Sequence, residues 1–140
     1  MRILHRYKKN PCNVQYSIDG GGIEYGLLYN WYAATDARNI TSSDDWVVPD
    51  LDDWKNLGNY IGEIIIDGSN FYSENAYKLK EIGTEFWTAP NTGATNELGF
   101  NARGSAARWW GEFSTLKTEA CFWSKTESGT DEAHMLYLSD

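Results

Sequence analysis

Apolar residues recur at helical spacing in the segment that follows Pro49. The apolar positions are Leu51, Trp54, Leu57 and Ile61. Residues three or four positions apart share one face of a helix, so these side chains form one apolar stripe. Asp50 is a suitable N-cap, Asp53 lies near the positive end of the helix dipole, and Gly62 is a suitable stop. The pattern predicts a helix that begins after Asp50 and ends before Gly62.

Two further segments in the first half of the chain predict regular structure. Residues 25–34 are continuously apolar and aromatic, which is typical of a buried strand, and Thr35-Asp36 predict a turn after it. A shorter helix is predicted after Ser73, with Ala76 and Leu79 facing inward.

Glycine and proline interrupt a long stretch after Leu79, the kind of irregular segment on which binding residues tend to lie. The interrupting residues are Gly83, Pro90, Gly93, Gly99 and Gly104. Residues 120–124 and 133–138 then predict two strands, and Gly129 in their connection allows them to pair as a hairpin. This order of strand, two helices, loop and strands predicts an α+β fold.

Composition supports one compact domain with an aromatic core. Seven Trp, nine Tyr and five Phe compensate for few aliphatic side chains, since each large ring buries roughly 150–250 Å². The length of 140 residues suits a single domain. The 20 acidic and 12 basic residues give a net charge of −8, which opposes nucleic-acid binding driven by bulk charge. No apolar run approaches the roughly 18 residues of a membrane span.

Basic residues are concentrated at the start of the chain, before the first acidic residue. They are Arg2, Arg6, Lys8 and Lys9. We therefore divide the chain into a basic N-terminal arm with a glycine turn, residues 1–22, and a domain, residues 23–140. The arm is suited to dock on neighbouring copies or virion subunits, and a solvated terminus explains its charges equally well. No hydrophobic segment follows the basic residues, so no secretory signal is predicted.

Several ordered motifs resemble those of the Fibrobacter succinogenes major paralogous domain. The matching segments are Tyr25–Ala34, Trp46–Asp50, Ala76–Lys80, Trp87–Asn91, Gly93–Ala102, Cys121–Glu127 and Ala133–Leu138. The segment Gly93–Ala102 is the most specific of them. The sequence departs from the family pattern at Val47, where histidine is usual, and at Arg103-Gly104, where the family has Leu-Pro-Gly-Gly.

The resemblance implies a C-type-lectin-like fold, with two helices, small antiparallel sheets and a long loop region. It also implies kinship with formylglycine-generating enzymes and with the variable proteins of diversity-generating retroelements. Members of the family are expected as surface or secreted modules and as phage proteins. Because no secretory signal is predicted, a virion location is favoured over a secreted lipoprotein.

The cysteines and histidines do not match the chemistry of the enzymatic relatives. Those relatives use two cysteines near the C-terminal loops to bind copper, whereas only Cys121 lies in that region here. Cys12 lies in the arm, and the sequence is compatible both with a disulfide between the two cysteines and with two free thiols. His5 and His134 are the only imidazoles, and no Gly-x-Ser-x-Gly elbow is present. We therefore predict a non-enzymatic protein without catalytic residues, metal or cofactor.

Calcium binding, as in sugar-binding C-type lectins, is not the favoured interpretation of the loop asparagines. The Glu-Pro-Asn or Gln-Pro-Asp tripeptide of such lectins is absent. Asn91, Asn96 and Asn101 are instead predicted to bond the backbone of their own loops, the usual role of Asn in turns.

The segment Arg108–Phe113 is the strongest candidate for contact with a partner. By resemblance, Arg108 and Phe113 frame a changeable loop that contains Trp109 and Trp110. Successive side chains of an extended chain point to opposite sides, so at least one Trp is predicted to face solvent or a partner. The alternative is that both rings complete a local aromatic core. The predicted contact residues are Arg103, Arg108, Trp109, Trp110 and Glu112, and the predicted core tryptophans are Trp31, Trp54, Trp87 and Trp123.

These observations predict a binding or display module on a phage virion or a bacterial surface. Its partners would be host-surface proteins or glycans, or neighbouring proteins. The alternative is a purely structural virion protein whose loops contact only neighbouring subunits. An enzyme of the formylglycine-generating type ranks behind both.

Overall fold

The computed structural model describes residues 2–3, 15–16, 24–38, 40, 45–62, 65–109 and 112–139. The strands are β1 (Arg2–Ile3), β2 (Gln15–Tyr16), β3 (Leu28–Tyr29), β4 (Ile65–Asp67), β5 (Asn70–Tyr72), β6 (Ser105–Trp109), β7 (Glu112–Leu116), β8 (Glu119–Glu127) and β9 (Ala133–Ser139). The helices are α1 (Trp31–Ala34) and α2 (Leu51–Ile61), and a 3-10 helix covers Ala76–Leu79. The predicted α+β class is confirmed.

Helix α2 has the boundaries that its cap residues predict. The Asp50 carboxylate accepts the main-chain N–H groups of Asp52 and Asp53, both at 3.0 Å, and the Asp53 carboxylate accepts the N–H of Asp50 at 2.8 Å. This reciprocal capping box satisfies donors that the first helical turn leaves unpaired. Gly62 ends the helix with φ 139°, a value that favours glycine. Trp54 and Ile61 face the core from the predicted apolar stripe.

We expect Asp50→Ala to lower the melting temperature at pH 7, because the variant removes both hydrogen bonds that the carboxylate accepts. Both bonds lower the pKa of Asp50, and the bond from the Asp53 N–H has the larger effect. A carboxyl with a lowered folded-state pKa stabilises the fold at neutral pH and loses this effect as the pH falls through that pKa. The difference in melting temperature should therefore narrow below about pH 4, where carboxyls begin to protonate.

Asp52→Ala is the matched control for this cap. Asp52 lies in the same helical turn but holds only an exposed contact with Lys55. Asp52→Ala should therefore lower the melting temperature at pH 7 less than Asp50→Ala does. Equal melting temperatures of the wild type and Asp50→Ala at that pH would contradict the assigned cap.

The prediction for residues 25–34 is partly wrong. Only Leu28–Tyr29 forms a strand, and Trp31–Ala34 forms a single helical turn, α1. The cause is Asn30, whose side-chain oxygen accepts the main-chain N–H of Ala33 at 2.8 Å. This cap starts a helix inside an apolar run whose composition favours a strand.

The larger sheet has six strands in the order β4-β5-β9-β8-β6-β7. Its centre is the antiparallel pair β8–β9, which confirms the predicted C-terminal hairpin. Two more antiparallel pairs, β4–β5 and β6–β7, flank this centre and join it through parallel pairing of β5 with β9 and of β6 with β8. The sequence analysis did not predict β4 to β7.

The smaller sheet contains β1 and β2, which pair with β3 on either side. Two short stretches of the predicted arm therefore pair with the rest of the chain. Strand β1 also contacts β8 and β6 of the larger sheet. Leu4 to Val14 and Ser17 to Ile23, which include Arg6, Lys8, Lys9 and Cys12, lie outside the described residues.

The core is aromatic, as the composition predicts. Trp54, Trp87 and Trp123 are buried, which confirms three of the four predicted core tryptophans. Trp31 is half-buried and packs against the cluster that contains Trp123. Each of these indole N–H groups donates to a main-chain carbonyl of another segment. The indoles of Trp31, Trp54 and Trp123 therefore connect β8 to α1, α2 and β3, and the Trp87 indole joins two parts of the long loop.

Candidate functional site

The β6–β7 hairpin carries most of the predicted contact residues at the edge of the larger sheet. Arg108 pairs with Phe113 across the hairpin, and the backbone of Trp109 pairs with Glu112. The connection between the strands, Trp110-Gly111, lies outside the described residues, as does the side chain of Trp109. The hairpin nevertheless brings the positions of Arg108, Trp109 and Glu112 together.

Apolar side chains are exposed on β7. Phe113 is 40% exposed and Leu116 is 42% exposed, and Glu112 is exposed beside them. The guanidinium of half-buried Arg108 lies 5.9 Å from the centre of the Phe113 ring. An exposed edge strand with apolar side chains is a surface that partners use.

Arg103 lies apart from this group, before the start of β6. Its Nε and Nη2 donate to the carboxylate of Glu81, its Nη1 donates to the carbonyl of Glu24, and its guanidinium stacks 3.7 Å from the centre of the Phe86 ring. The guanidinium is engaged within the chain by all of these contacts. Arg103 therefore holds three segments together, and the structure does not bring it to the end of the hairpin.

Gly104 fixes the base of the hairpin. Its N–H donates to the carbonyl of Phe86 at 3.1 Å, and its carbonyl accepts the N–H of Lys117 at 2.7 Å. A Cβ at this position would lie 2.7 Å from the Lys117 Cα and 2.8 Å from the Phe86 oxygen. Only glycine fits without movement of the backbone, which explains why a glycine follows Arg103.

The asparagines of the long loop bond within the loop, as predicted. The Asn91 side chain donates to the carbonyls of Glu81 and Gly83, at 3.0 and 2.7 Å. The Asn96 side chain accepts the main-chain N–H of Asn101 at 2.8 Å. All three asparagines have positive φ, between 47° and 53°, a conformation that Asn tolerates better than most residues. Their side chains stabilise the turns of the loop.

An open cleft of about 1030 Å³ lies between the long loop, β3 and the segment before α2. Its buried lining is aromatic and includes Tyr25, Trp54, Phe122 and Trp123, and half-buried Phe100 adds a fifth ring. The rings of Phe100 and Phe122 meet edge to face, with centres 5.4 Å apart. Such a concave, mainly apolar surface with a few polar groups is typical of binding sites.

Sequence reasoning missed this cleft. The polar groups at its edge are Glu24, Glu81, Asn101 and Arg103, of which only Arg103 was predicted to make contacts. Trp46 and Val47, both 68% exposed, were assigned only to a family motif. Their adjacent apolar side chains before a strong helix start were the available signal.

His134 and Cys121 are the histidine and the cysteine in the described part of the chain. His134 lies half-buried in β9, 5.2 Å from the Phe71 ring. Burial, and to a lesser degree the nearby charge of Lys55, lower the pKa of His134, while a hydrogen bond with the backbone of Ser69 opposes this shift. Cys121 is a buried thiol in β8. Within the described ranges, no group of three or more His, Cys, Asp or Glu side chains is placed to hold a metal ion.

No helix in the described part of the chain has the length and apolar character needed to span a bilayer. Comparison with known families matches residues 4–139 to the Fibrobacter succinogenes major domain. No curated protein and no solved structure matches the chain. The matched range contains both the β6–β7 hairpin and all of the described residues that line the cleft.

Proposed function

Because this chain belongs to the family of the Fibrobacter succinogenes major domain, we propose that it is a non-enzymatic binding and display module with a C-type-lectin-like fold. The fold proposal is supported by the order of the elements. Two helices precede a long loop region, and strands that pair mainly antiparallel follow it. The loop region lies between the 3-10 helix and β6, where binding residues are expected.

The observation that carries the binding proposal is the exposed apolar edge of the β6–β7 hairpin. Phe113 and Leu116 are exposed on β7, Trp109 is the last residue of β6, and Trp110 follows it in the sequence. Aromatic side chains supply much of the affinity at protein interfaces. Glu112 and Arg108 supply charge and hydrogen-bonding groups beside them. This surface is the proposed contact with a host-surface protein or glycan, or with a neighbouring protein.

The non-enzymatic part of the proposal is supported by the state of the candidate groups. Cys121 is buried, and the lowered pKa of His134 results mainly from burial in a strand. Arg103, which lines the cleft, is engaged by Glu81 and by the carbonyl of Glu24. None of these groups has the accessible geometry that nucleophilic or acid–base catalysis needs.

A location on a phage virion or a bacterial surface is the expectation that family membership carries. The direct experiment is to measure the binding of the fluorescently labelled chain to intact bacterial cells and to purified phage particles. Saturable binding that heat-unfolded protein does not show would support the proposal. Absence of saturable binding to both cells and particles would contradict it.

A purely structural role in virion assembly is the second candidate, and the edge position of β7 favours it. An edge strand presents unpaired backbone groups that a neighbouring subunit can use. The two candidates differ in the accessibility of the hairpin within an assembled particle. A cysteine introduced at Glu112 would react with a water-soluble maleimide if the hairpin is displayed, and would be protected if subunits bury it.

A further inference from the structure

A second cavity, of about 490 Å³, lies beside the paired strands β5 and β9. Its volume is within the range of about 300–1,000 Å³ that is usual for small-ligand sites. The described residues that line it come from these two strands, from the region of the 3-10 helix and from the long loop. None of these lining residues belongs to the β6–β7 hairpin or lines the aromatic cleft.

The pairing of β5 with β9 places two tyrosines side by side in the wall of this cavity. The strands run parallel, and Phe71 pairs with Leu136. The next residue of each strand, Tyr72 or Tyr137, points to the opposite face of the sheet from the buried Phe71 and Leu136. Both tyrosines line the cavity, and Tyr72 is 37% exposed.

Tyr77 of the 3-10 helix supplies a third ring, and its contacts fix its position. Its hydroxyl donates to the Oδ1 atom of Asn75 at 3.2 Å, and its main-chain carbonyl accepts the N–H of Thr95 at 3.2 Å. A Cβ at Gly93 would lie 3.6 Å from the Tyr77 ring, so the loop backbone packs along this ring. A ring that is already in place lowers the entropic cost of binding a ligand.

The charged side chains of the described lining, Lys80 and Glu74, do not favour an ionic ligand. Lys80 is 2% exposed, and its ammonium group donates to the carbonyl of Ser139 at 3.2 Å and lies 4.3 Å from the centre of the Trp87 ring. This ammonium group is therefore engaged within the chain. Glu74 is exposed, so water weakens its attraction for a cation. The cavity suits an uncharged ligand.

The sheet beside the cavity offers no edge to an extended peptide. Strand β5 lies between β4 and β9, and β9 lies between β5 and β8. A peptide that adds to a sheet needs a strand with one unpaired side. The groups that remain for a ligand are the tyrosine rings and the hydroxyl groups of the lining, which include those of Tyr72, Ser73 and Thr92.

We propose that this cavity binds a neutral saccharide. The faces of a pyranose ring consist of C–H groups, and its hydroxyl groups lie around the rim. The C–H groups pack on the tyrosine rings, whose faces carry partial negative charge. The sugar hydroxyls bond with the hydroxyl groups of the wall, because each hydroxyl can both donate and accept. This site goes beyond the proposed function, since none of the described hairpin residues lines the cavity.

The test is titration of the isotope-labelled full chain with a panel of neutral sugars, followed by two-dimensional NMR. Each sugar is supplied as a methyl glycoside and as the end of an oligosaccharide, which distinguishes a single sugar from a glycan chain. The matching uronic acids and amino sugars test the preference for uncharged ligands. At least one neutral sugar should bind, should shift the amide signals of Tyr72, Tyr77 and Tyr137, and should bind no less tightly than its charged counterparts.

Tyr72→Ser removes the most exposed of the three rings and should weaken binding of that sugar at least about tenfold, as expected for loss of a central contact. Tyr60→Ser is the control, since Tyr60 is a 76% exposed aromatic on α2 outside the cavity, and it should bind like the wild type. Tyr72→Phe keeps the ring and should retain more affinity than Tyr72→Ser. If Tyr72→Ser does not fold, the signals that shift in the wild type decide where the sugar binds.

Three results would overturn the proposal. They are the failure of every neutral sugar to bind, shifted signals that do not concentrate at the cavity, and equal affinity of folded Tyr72→Ser and Tyr60→Ser. Tighter binding of a charged counterpart than of the neutral sugar would also overturn it. The sugars are titrated without cells or particles, so this proposal and the proposed function can fail independently.

Discussion

Trp123→Ala is expected to lower the free energy of unfolding by about 3–5 kcal/mol, the usual cost of truncating a buried tryptophan. Trp123 is 2% exposed, and its indole N–H donates to the carbonyl of Tyr29 at 3.0 Å. Its own carbonyl accepts the indole N–H of Trp54 at 3.3 Å. The residue therefore connects β8 with β3 and α2. Chemical denaturation followed by tryptophan fluorescence and circular dichroism measures the loss.

Trp46→Ala is the matched control for this variant. It is the same substitution at a side chain that is 68% exposed. Surface substitutions usually change stability by no more than about 0.5 kcal/mol. If both variants lose equal stability, or if Trp123→Ala stays within about 1 kcal/mol of the wild type, then Trp123 does not have the packing described.

The double variant Trp109→Ala and Trp110→Ala is expected to bind its cells or particles at least about thirtyfold more weakly, with little change in melting temperature. Loss of a hot-spot residue costs roughly 2 kcal/mol or more of binding free energy. The backbone of Trp109 pairs with Glu112, next to exposed Phe113 at the edge of the sheet, and Trp110 follows Trp109 in the sequence. Titration of labelled protein and thermal melting of the same sample measure the two effects.

Trp123→Ala supplies the comparison for the melting measurement. If the double variant melts as early as Trp123→Ala, then both rings belong to a core and the contact surface is misassigned. A double variant that melts and binds like the wild type would also exclude this surface. Phe113→Ala, which truncates an exposed neighbour on β7, should weaken binding with little change in stability.

The sequence was most informative where structure is decided locally. Helix α2 was predictable because its cap, apolar stripe and glycine stop are all within thirteen residues, from Asp50 to Gly62. The bonds of the Asn96 and Asn101 side chains within their own turn were predictable for the same reason. Each involves chemical preferences that act over a few residues.

The missed elements depend on contacts between distant segments. Strand β5 pairs with β9, about sixty residues later in the chain. A local sequence pattern does not indicate which distant strand will pair with it. Strand β6 contains Ala106 with φ 67°, a conformation unusual for a strand, and joins β8 only through tertiary structure. Helix α1 depends on one side chain, Asn30, which outweighs the strand propensity of the residues around it.

The two candidate sites also differ in whether neighbouring residues or distant segments form them. The segment Arg108–Phe113 was singled out because its residues are contiguous in the sequence, but the hairpin that carries it was not predicted. The cleft was not singled out, because it assembles Tyr25, Trp46, Phe100 and Phe122 from four separate segments. Arg103 was predicted to contact a partner, whereas its ion pair in the structure is with Glu81, twenty-two positions earlier in the chain.

The attachment of the β6–β7 hairpin has a consequence for how the domain tolerates mutation. Strand β6 pairs with β8 at one position, Ala106 with Ala120, whereas β8 and β9 pair along most of their length. Ala106 and Ala107 of β6 are nevertheless fully buried, whereas Phe113 and Leu116 of β7 are exposed. Exposed segments with few buried contacts open at lower free energies than the core. Substitutions at the hairpin end should therefore change the stability of the core little. This surface can then change rapidly in evolution without loss of the fold.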